Sequence, residues 1–175
     1  MHGTLGPFAM RRRPRLPFRA VNRRDSAHHD PSLQRHHLLP SQLLSIRCFA
    51  RLFDAVGVEA IGFDDFRRNG LLLPSREDAA ERLALPLHRG PHRDYNAMVI
   101  EKVGQIEEAW AATRQEDTAA ACAAALRQLE ALQGALRLQL LDERRPHRLN
   151  RRDPAQREMD FSSLDALAEE LWDAT

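Results

Sequence analysis

The chain has 175 residues, of which 43% are hydrophobic and 29% charged, enough for one compact domain with tails. No apolar run approaches the roughly 18 residues that a membrane span needs, and Pro14 and Pro17 interrupt the stretch around Arg11, Arg12, Arg13 and Arg15, so no secretory signal is expected. Net charge is +1, yet residues 1–50 hold nine arginines against Asp25 and Asp30, while residues 158–175 hold Glu158, Asp160, Asp165, Glu169, Glu170 and Asp173 and no base; a basic front suits nucleic acid, and an acidic tail suits solubility or a basic partner.

Residues 1–31 read as a flexible basic arm, because Pro7, Pro14, Pro17 and Pro31 punctuate a charged stretch without a period. A strand over Gln34–Leu39 follows, ended by Pro40. Ser41 then reads as the cap of a helix carrying Leu44, Cys48, Phe49, Leu52, Phe53 and Val56, stopped by Gly57. Residues 58–74 read as extended, with Asn69-Gly70 as a tight turn ahead of Leu71-Leu72-Leu73-Pro74. Ser75 and Asp78 form a capping-box-like start to a short helix that ends before Pro86.

From His92 onward Tyr95, Met98, Val99, Val103, Ile106 and Trp110 recur on one helical face. A second long helix runs from about Thr118 to Leu141, with Cys122, Leu126, Leu129, Leu132, Leu136 and Leu140 on its stripe, and the two are expected to form an antiparallel hairpin. The main folded domain is therefore placed at residues 32–141, followed by a polar linker and a short acidic helix over 142–175. Cys48 and Cys122 lack CxxC spacing and read as small buried hydrophobes, which implies a reducing compartment.

Eight histidines occur, and two pairs stand out. His88 and His92 are four residues apart around Gly90-Pro91, a spacing that puts both imidazoles on one face of a helix or its leading turn. They can converge on a metal, or they can be exposed polar residues at a helix start. His36 and His37 are adjacent on the strand and so point to opposite faces. One can meet an ion while the other faces elsewhere, or one can be a buried, hydrogen-bonded histidine. His28-His29 lacks an apolar anchor and reads as solvated, as do His2 and His147.

Three motifs in order, His36-His37-Leu38-Leu39-Pro40, Asn69-Gly70-Leu71-Leu72-Leu73-Pro74 and His88-Arg89-Gly90-Pro91-His92-Arg93-Asp94-Tyr95-Asn96, resemble the AHH family of nucleases in the HNH/endonuclease VII superfamily. The resemblance covers residues 33–112 or so. Arg35 stands where the family has the alanine of its name, and the segment after Pro40 lengthens the gap between the two strands. The resemblance implies a ββα-metal core; with the inserted helix and the C-terminal helical hairpin read from the apolar periodicity, the expected fold is α+β and mostly helical. It implies His36, His88 and His92 as ligands of one divalent ion (magnesium, manganese, zinc or nickel), His37 as general base, and Asn69 as the residue holding the loop that positions His37. Arg35, Arg89 and Arg93 are the expected phosphate contacts, with Tyr95 and Asn96 in support.

The chemistry agrees with this assignment. Phosphodiester hydrolysis needs an activated water and stabilised oxyanions; an ion supplies the second and a histidine near its ordinary pKa the first. The expectation is thus a metal-dependent endonuclease acting on DNA in preference to RNA. Two roles stay open: a bacterial polymorphic-toxin type, which would need a neutralising immunity protein as partner, and a housekeeping or mobile-element nuclease, which would not; no membrane partner is expected. The enzyme would act in the cytoplasm, its own or that of a target cell reached by a specialised secretion system. The competing reading is a non-catalytic nucleic-acid-binding module with a structural histidine-bound metal.

Overall fold

The structure, a computed structural model, describes residues 14–142 and Leu149. The expected polar linker and acidic helix, apart from Asp142 and Leu149, lie outside those residues, as does His147. The fold is α+β and mostly helical, with one two-stranded antiparallel sheet. Strand β1 (Leu33–His37) pairs with β2 (Gly70–Pro74), Leu33 lying opposite Pro74 and His37 opposite Gly70. After β1 the chain dives inward, and Leu38 and Leu39 are fully buried.

Between the strands the structure departs from the expected single helix and long extended run. Residues 41–49 form two 3₁₀ turns, Ser41–Ser45 and Arg47–Phe49, before helix α1 (Ala50–Val56). At three residues per turn the register slips against the α-helical stripe, so Leu44 and Cys48 face outward while Leu43, Phe49, Leu52 and Phe53 are buried. Ser41 makes no cap, and Cys48 is exposed rather than buried; Cys122 is half-buried. Gly57, at φ +90°, ends α1 as expected and starts α2 (Val58–Ile61). Gly62 closes α2 in the left-handed region, and Asp65 caps α3 (Phe66–Asn69) by accepting from the Arg67 N–H. These local devices make Val58–Ile61 and Phe66–Asn69 helical, with a turn between them, where the apolar pattern alone reads as extended.

Asn69-Gly70 is accordingly no hairpin turn. Asn69 ends α3 with its side chain buried, and Gly70 opens β2 with an extended backbone. Gly70 is needed for space: a Cβ there would come within 2.2 Å of the Phe66 ring. Ser75 likewise does not cap the next helix; its N–H and hydroxyl both donate to the Ser32 carbonyl, at 2.7 and 3.0 Å, and α4 (Glu77–Leu83) starts after Arg76.

The long helices lie where expected, although on the second one Cys122 and Leu126 of the expected stripe are only half-buried and Ala121 and Ala125 are buried in their stead. α5 (Arg93–Thr113) buries Tyr95, Met98, Val99, Val103, Ile106 and Trp110. α6 (Thr118–Leu140), capped by Asp117, packs beside it and buries Ala121, Ala125, Leu129, Leu132, Leu136 and Leu140. One apolar core joins these faces to Leu38, Leu39, Leu52, Phe53, Ile61 and Leu73. Among the described residues no helix is long and apolar enough to cross a membrane.

The proposed arm also differs in its described part. The Leu16 N–H donates to Asp65 Oδ1 at 3.2 Å, its carbonyl accepts from the Phe66 N–H at 2.7 Å, and Arg15 pairs with Asp64 at 2.6 Å. Phe18 is buried. Farther on, the Asn22 side chain donates to the Asp30 and Leu33 carbonyls and accepts from the Asp30 N–H, all within 2.9 Å, closing the loop ahead of β1. Two acids adjacent in sequence thus fasten a segment that composition marks as mobile.

Candidate active site

The alternation of β1 sorts its polar residues onto two faces. His36 turns inward and is 3% exposed. Its ring stands edge-on to His88, His92 and Tyr95, with centroids 5.0, 5.6 and 5.0 Å away. His88 lies in the loop before α5, where its N–H donates to the Pro74 carbonyl at the end of β2 (2.6 Å). His92 sits one position ahead of α5, just outside the first turn in which sequence placed it. The His88 and His92 rings are 4.4 Å apart, and ligand nitrogens of His36, His88 and His92 all lie within 4.8 Å of one another. The opposing edges of a loop, a strand and a helix start thereby bring together three imidazoles separated by up to 56 residues in sequence.

The donor set fits a metal ion. His36 Nε2 is buried without a hydrogen-bond partner, a state that costs about 1–3 kcal/mol unless something occupies it. His88 Nδ1 lies 3.2 Å from Gln34 Oε1, and His92 Nδ1 lies 3.3 Å from the Leu149 carbonyl. Both acceptors require a protonated Nδ1, which leaves each Nε2 with a lone pair; hydrogen bonds of this kind orient metal-binding histidines generally. Burial pushes the pKa of all three below the ordinary histidine value, His88 to about 4, and for His36 the neighbouring imidazoles add to the effect. They are neutral at pH 7, the form that ligates.

His37 occupies the other face of β1, half-buried, its ring stacked on Phe18 with centroids 3.7 Å apart and planes 2° from parallel. Burial lowers its pKa, opposed by the Asp64 carboxylate. Phe18 is itself held: its N–H donates to Asp64 Oδ1 at 3.4 Å, and its carbonyl accepts from Arg35 at 2.8 Å. The dipeptide after His37 is pinned by two side chains. Tyr95 donates its hydroxyl to the Leu38 carbonyl at 2.7 Å. Asn69 Oδ1 accepts from the Leu39 N–H at 2.7 Å, and its Nδ2 donates to the carbonyls of Leu39 and Phe63 at 3.0 and 3.1 Å. Burial without a charged partner raises the Tyr95 pKa far above its ordinary value, so the hydroxyl stays a donor.

The remaining expected residues are less closely gathered. Arg35 lies on the His37 face and bonds Phe18. Arg89 is exposed and leans toward Glu77 at 4.0 Å, Arg93 is exposed at the first position of α5, and Asn96 reaches Gln42 Oε1 at 3.4 Å. His28 is exposed and His29 partly so, apart from the cluster. Sequence reasoning missed Phe18, Gln34, Asp64 and Gln133. Gln34 was within reach, since it shares a face of β1 with His36. Phe18 and Asp64 carry no local signal, because their link to His37 exists only after the N-terminal segment folds back.

A model of the AHH family, a nuclease family of the HNH/ENDO VII superfamily with conserved AHH, matches residues 18–135. No curated protein and no solved structure matches the chain. The match spans more than half of the sequence and includes both strands, all three clustered histidines and Phe18 at its first position, so the chain belongs to the AHH nuclease family of the HNH/ENDO VII superfamily.

Proposed function

We propose that the protein is a metal-dependent endonuclease in which His36, His88 and His92 hold one divalent ion and His37 is the general base. The observation that carries this reading is the buried, unpartnered His36 Nε2 facing two imidazoles, with a neutral His37 on the adjacent position of the same strand. A divalent ion at that cluster supplies Lewis-acid stabilisation of the phosphoryl and leaving oxygens. His37 takes the proton of the attacking water at an unprotonated ring nitrogen, a role contributing on the order of 10²–10⁴-fold. Asn69 and Tyr95 hold Leu38 and Leu39, and through them the end of β1, so that His37 keeps its direction relative to His36. Arg35, Arg89 and Arg93 contact phosphates, a sequence-independent and salt-sensitive contribution. The proposed substrate is DNA in preference to RNA.

The test is cleavage of supercoiled plasmid and of a structured RNA with magnesium, manganese, zinc and nickel in turn. Wild type is expected to nick the plasmid, and His37→Ala to lose about 10²–10⁴-fold. A metal-loaded wild type that binds nucleic acid but cleaves neither polymer supports the non-catalytic module instead. A toxin-type role with an immunity protein, implied by the family resemblance, is tested by growth arrest on cytoplasmic expression and its rescue by the neighbouring gene product.

A further inference from the structure

Beside the two histidine faces lies a groove of about 910 Å³ between the loop over residues 19–31 and β1. Its lining carries Arg19, Arg23, Arg24 and Arg35 against one carboxylate, Asp25, which Arg23 already neutralises through a two-bonded ion pair. Arg19 and Arg24 are exposed and make no ion pair or hydrogen bond among the described residues. The wall is built rather than loose, because Asn22, itself at φ +47°, ties it to Asp30 and Leu33 by three hydrogen bonds. Its floor connects to both halves of the site. Gln34 lines the groove and bonds His88; Arg35 lines it and bonds the carbonyl of Phe18, whose ring covers His37.

We propose that this groove is the track for the phosphodiester backbone of the substrate leading to His37, with Arg19 and Arg24 as its phosphate-binding residues. The inference rests on the nuclease reading for the identity of the polyanion, and the geometry supplies its path. An arginine guanidinium pairs with two phosphate oxygens at once, and because the backbone of this wall is already ordered by the Asn22 bonds only the side-chain rotamers remain to be fixed on binding. A surface with uncompensated positive charge also raises the local concentration of a polyanion. The sequence marks the region only as basic; the fold gathers it into a groove whose lining includes Gln34 and Arg35, the strand neighbours of His36.

The double variant Arg19→Ala/Arg24→Ala separates this role from chemistry. Both side chains are exposed, so the fold is retained. KM for plasmid at low salt is expected to rise about tenfold, and the log–log salt dependence of binding to become shallower by about 1.8, two phosphate contacts on duplex DNA. Hydrolysis of bis(4-nitrophenyl) phosphate, too small to reach along the groove, is expected to match wild type. Replacing both arginines by lysine should restore most of the salt slope. Unchanged plasmid KM and salt slope overturn the proposal, as does a parallel loss on the small diester, which would mean damage to the site itself. If wild type cleaves neither substrate, the nuclease reading fails, and the groove is still decided by fluorescence anisotropy. A short labelled DNA duplex and its RNA counterpart should then bind the double variant about tenfold more weakly than wild type, and equal binding of both refutes it.

Discussion

Replacing Asn69 by alanine strikes the point where fold and site are most closely joined. The residue is fully buried, and its side chain satisfies the Leu39 N–H, the Leu39 carbonyl and the Phe63 carbonyl at 2.7–3.1 Å, with a longer 3.4 Å contact from Gln133. Alanine leaves three buried backbone groups without partners, at about 1–3 kcal/mol each before relaxation. Entry of water and small backbone shifts reduce that sum, and losses beyond about 5 kcal/mol are rare for one substitution; about 3–5 kcal/mol is expected. Urea unfolding followed by far-UV circular dichroism reads this as a midpoint lowered by about 2 M, given a slope of about 2 kcal/mol/M. Gln133→Ala is the internal control: it removes only the contacts of 3.3 and 3.4 Å to the Ile61 carbonyl and Asn69, and should cost about 1 kcal/mol. At a temperature where Asn69→Ala remains folded, its kcat should still fall, because the segment that fixes the end of β1 is free. A loss under about 1 kcal/mol, or equal effects of the two substitutions, refutes the claim that Asn69 is the pin of this segment.

Three further outcomes follow from the same geometry. Gln34→Ala removes the acceptor that fixes the His88 ring and should weaken metal binding about 10–100-fold in isothermal titration calorimetry; unchanged affinity would separate Gln34 from the metal site. Phe18→Leu keeps an apolar side chain but loses the flat stack on His37, so kcat is expected to drop about tenfold with KM unchanged, and Phe18→Tyr to restore it; a leucine variant with wild-type kcat would show that the stack does not orient the base. In metal-free protein, burial holds His36, His37, His88 and His92 below their unfolded pKa of 6.5, His88 at about 4. Between those values the unfolded chain binds more protons than the folded one, so stability should be flat above about pH 6.5 and fall steadily as pH drops toward 4. Urea midpoints that stay constant from pH 7 to pH 5 would contradict it.

The long helices were legible because an apolar 3.6-residue period runs over more than twenty positions in each: the six apolar residues read on α5 are the six it buries, while on α6 the stripe is right from Leu129 onward and its first turns bury Ala121 and Ala125 instead of Cys122 and Leu126. The three histidine motifs were legible for a different reason, since each retains its neighbours in order, and the family match extends over all of them. What sits between the strands was not. Four-residue helices such as α2 and α3 are too short to show a period, and they are set by Gly57, Gly62 and the Asp65 cap rather than by an apolar stripe. The same limit hid the role of Asn69-Gly70: a dipeptide that suits a tight turn serves here as a buried polar pin and a spacer for the Phe66 ring, roles defined by partners distant in sequence.

The sequence by itself determined the two long helices and the strand that carries His36 and His37, because these depend on local period and on short-range chemistry; the pairing of that strand with the Leu71–Pro74 run, between residues 33 to 41 apart in sequence, was implied only by the family resemblance. Only the tertiary structure set the distances at which His36 meets His88 and His92, whose grouping the resemblance had implied, and decided that His37 faces Phe18 and that residues 14–31 form a wall beside them instead of a free arm. Those arrangements come from long-range hydrogen bonds, Leu16 to Asp65, Asn22 to Leu33, Asn69 to Leu39 and Tyr95 to Leu38. Each is between groups whose residue types are common and whose sequence separation carries no signal, so their meeting is fixed only when the core closes around them.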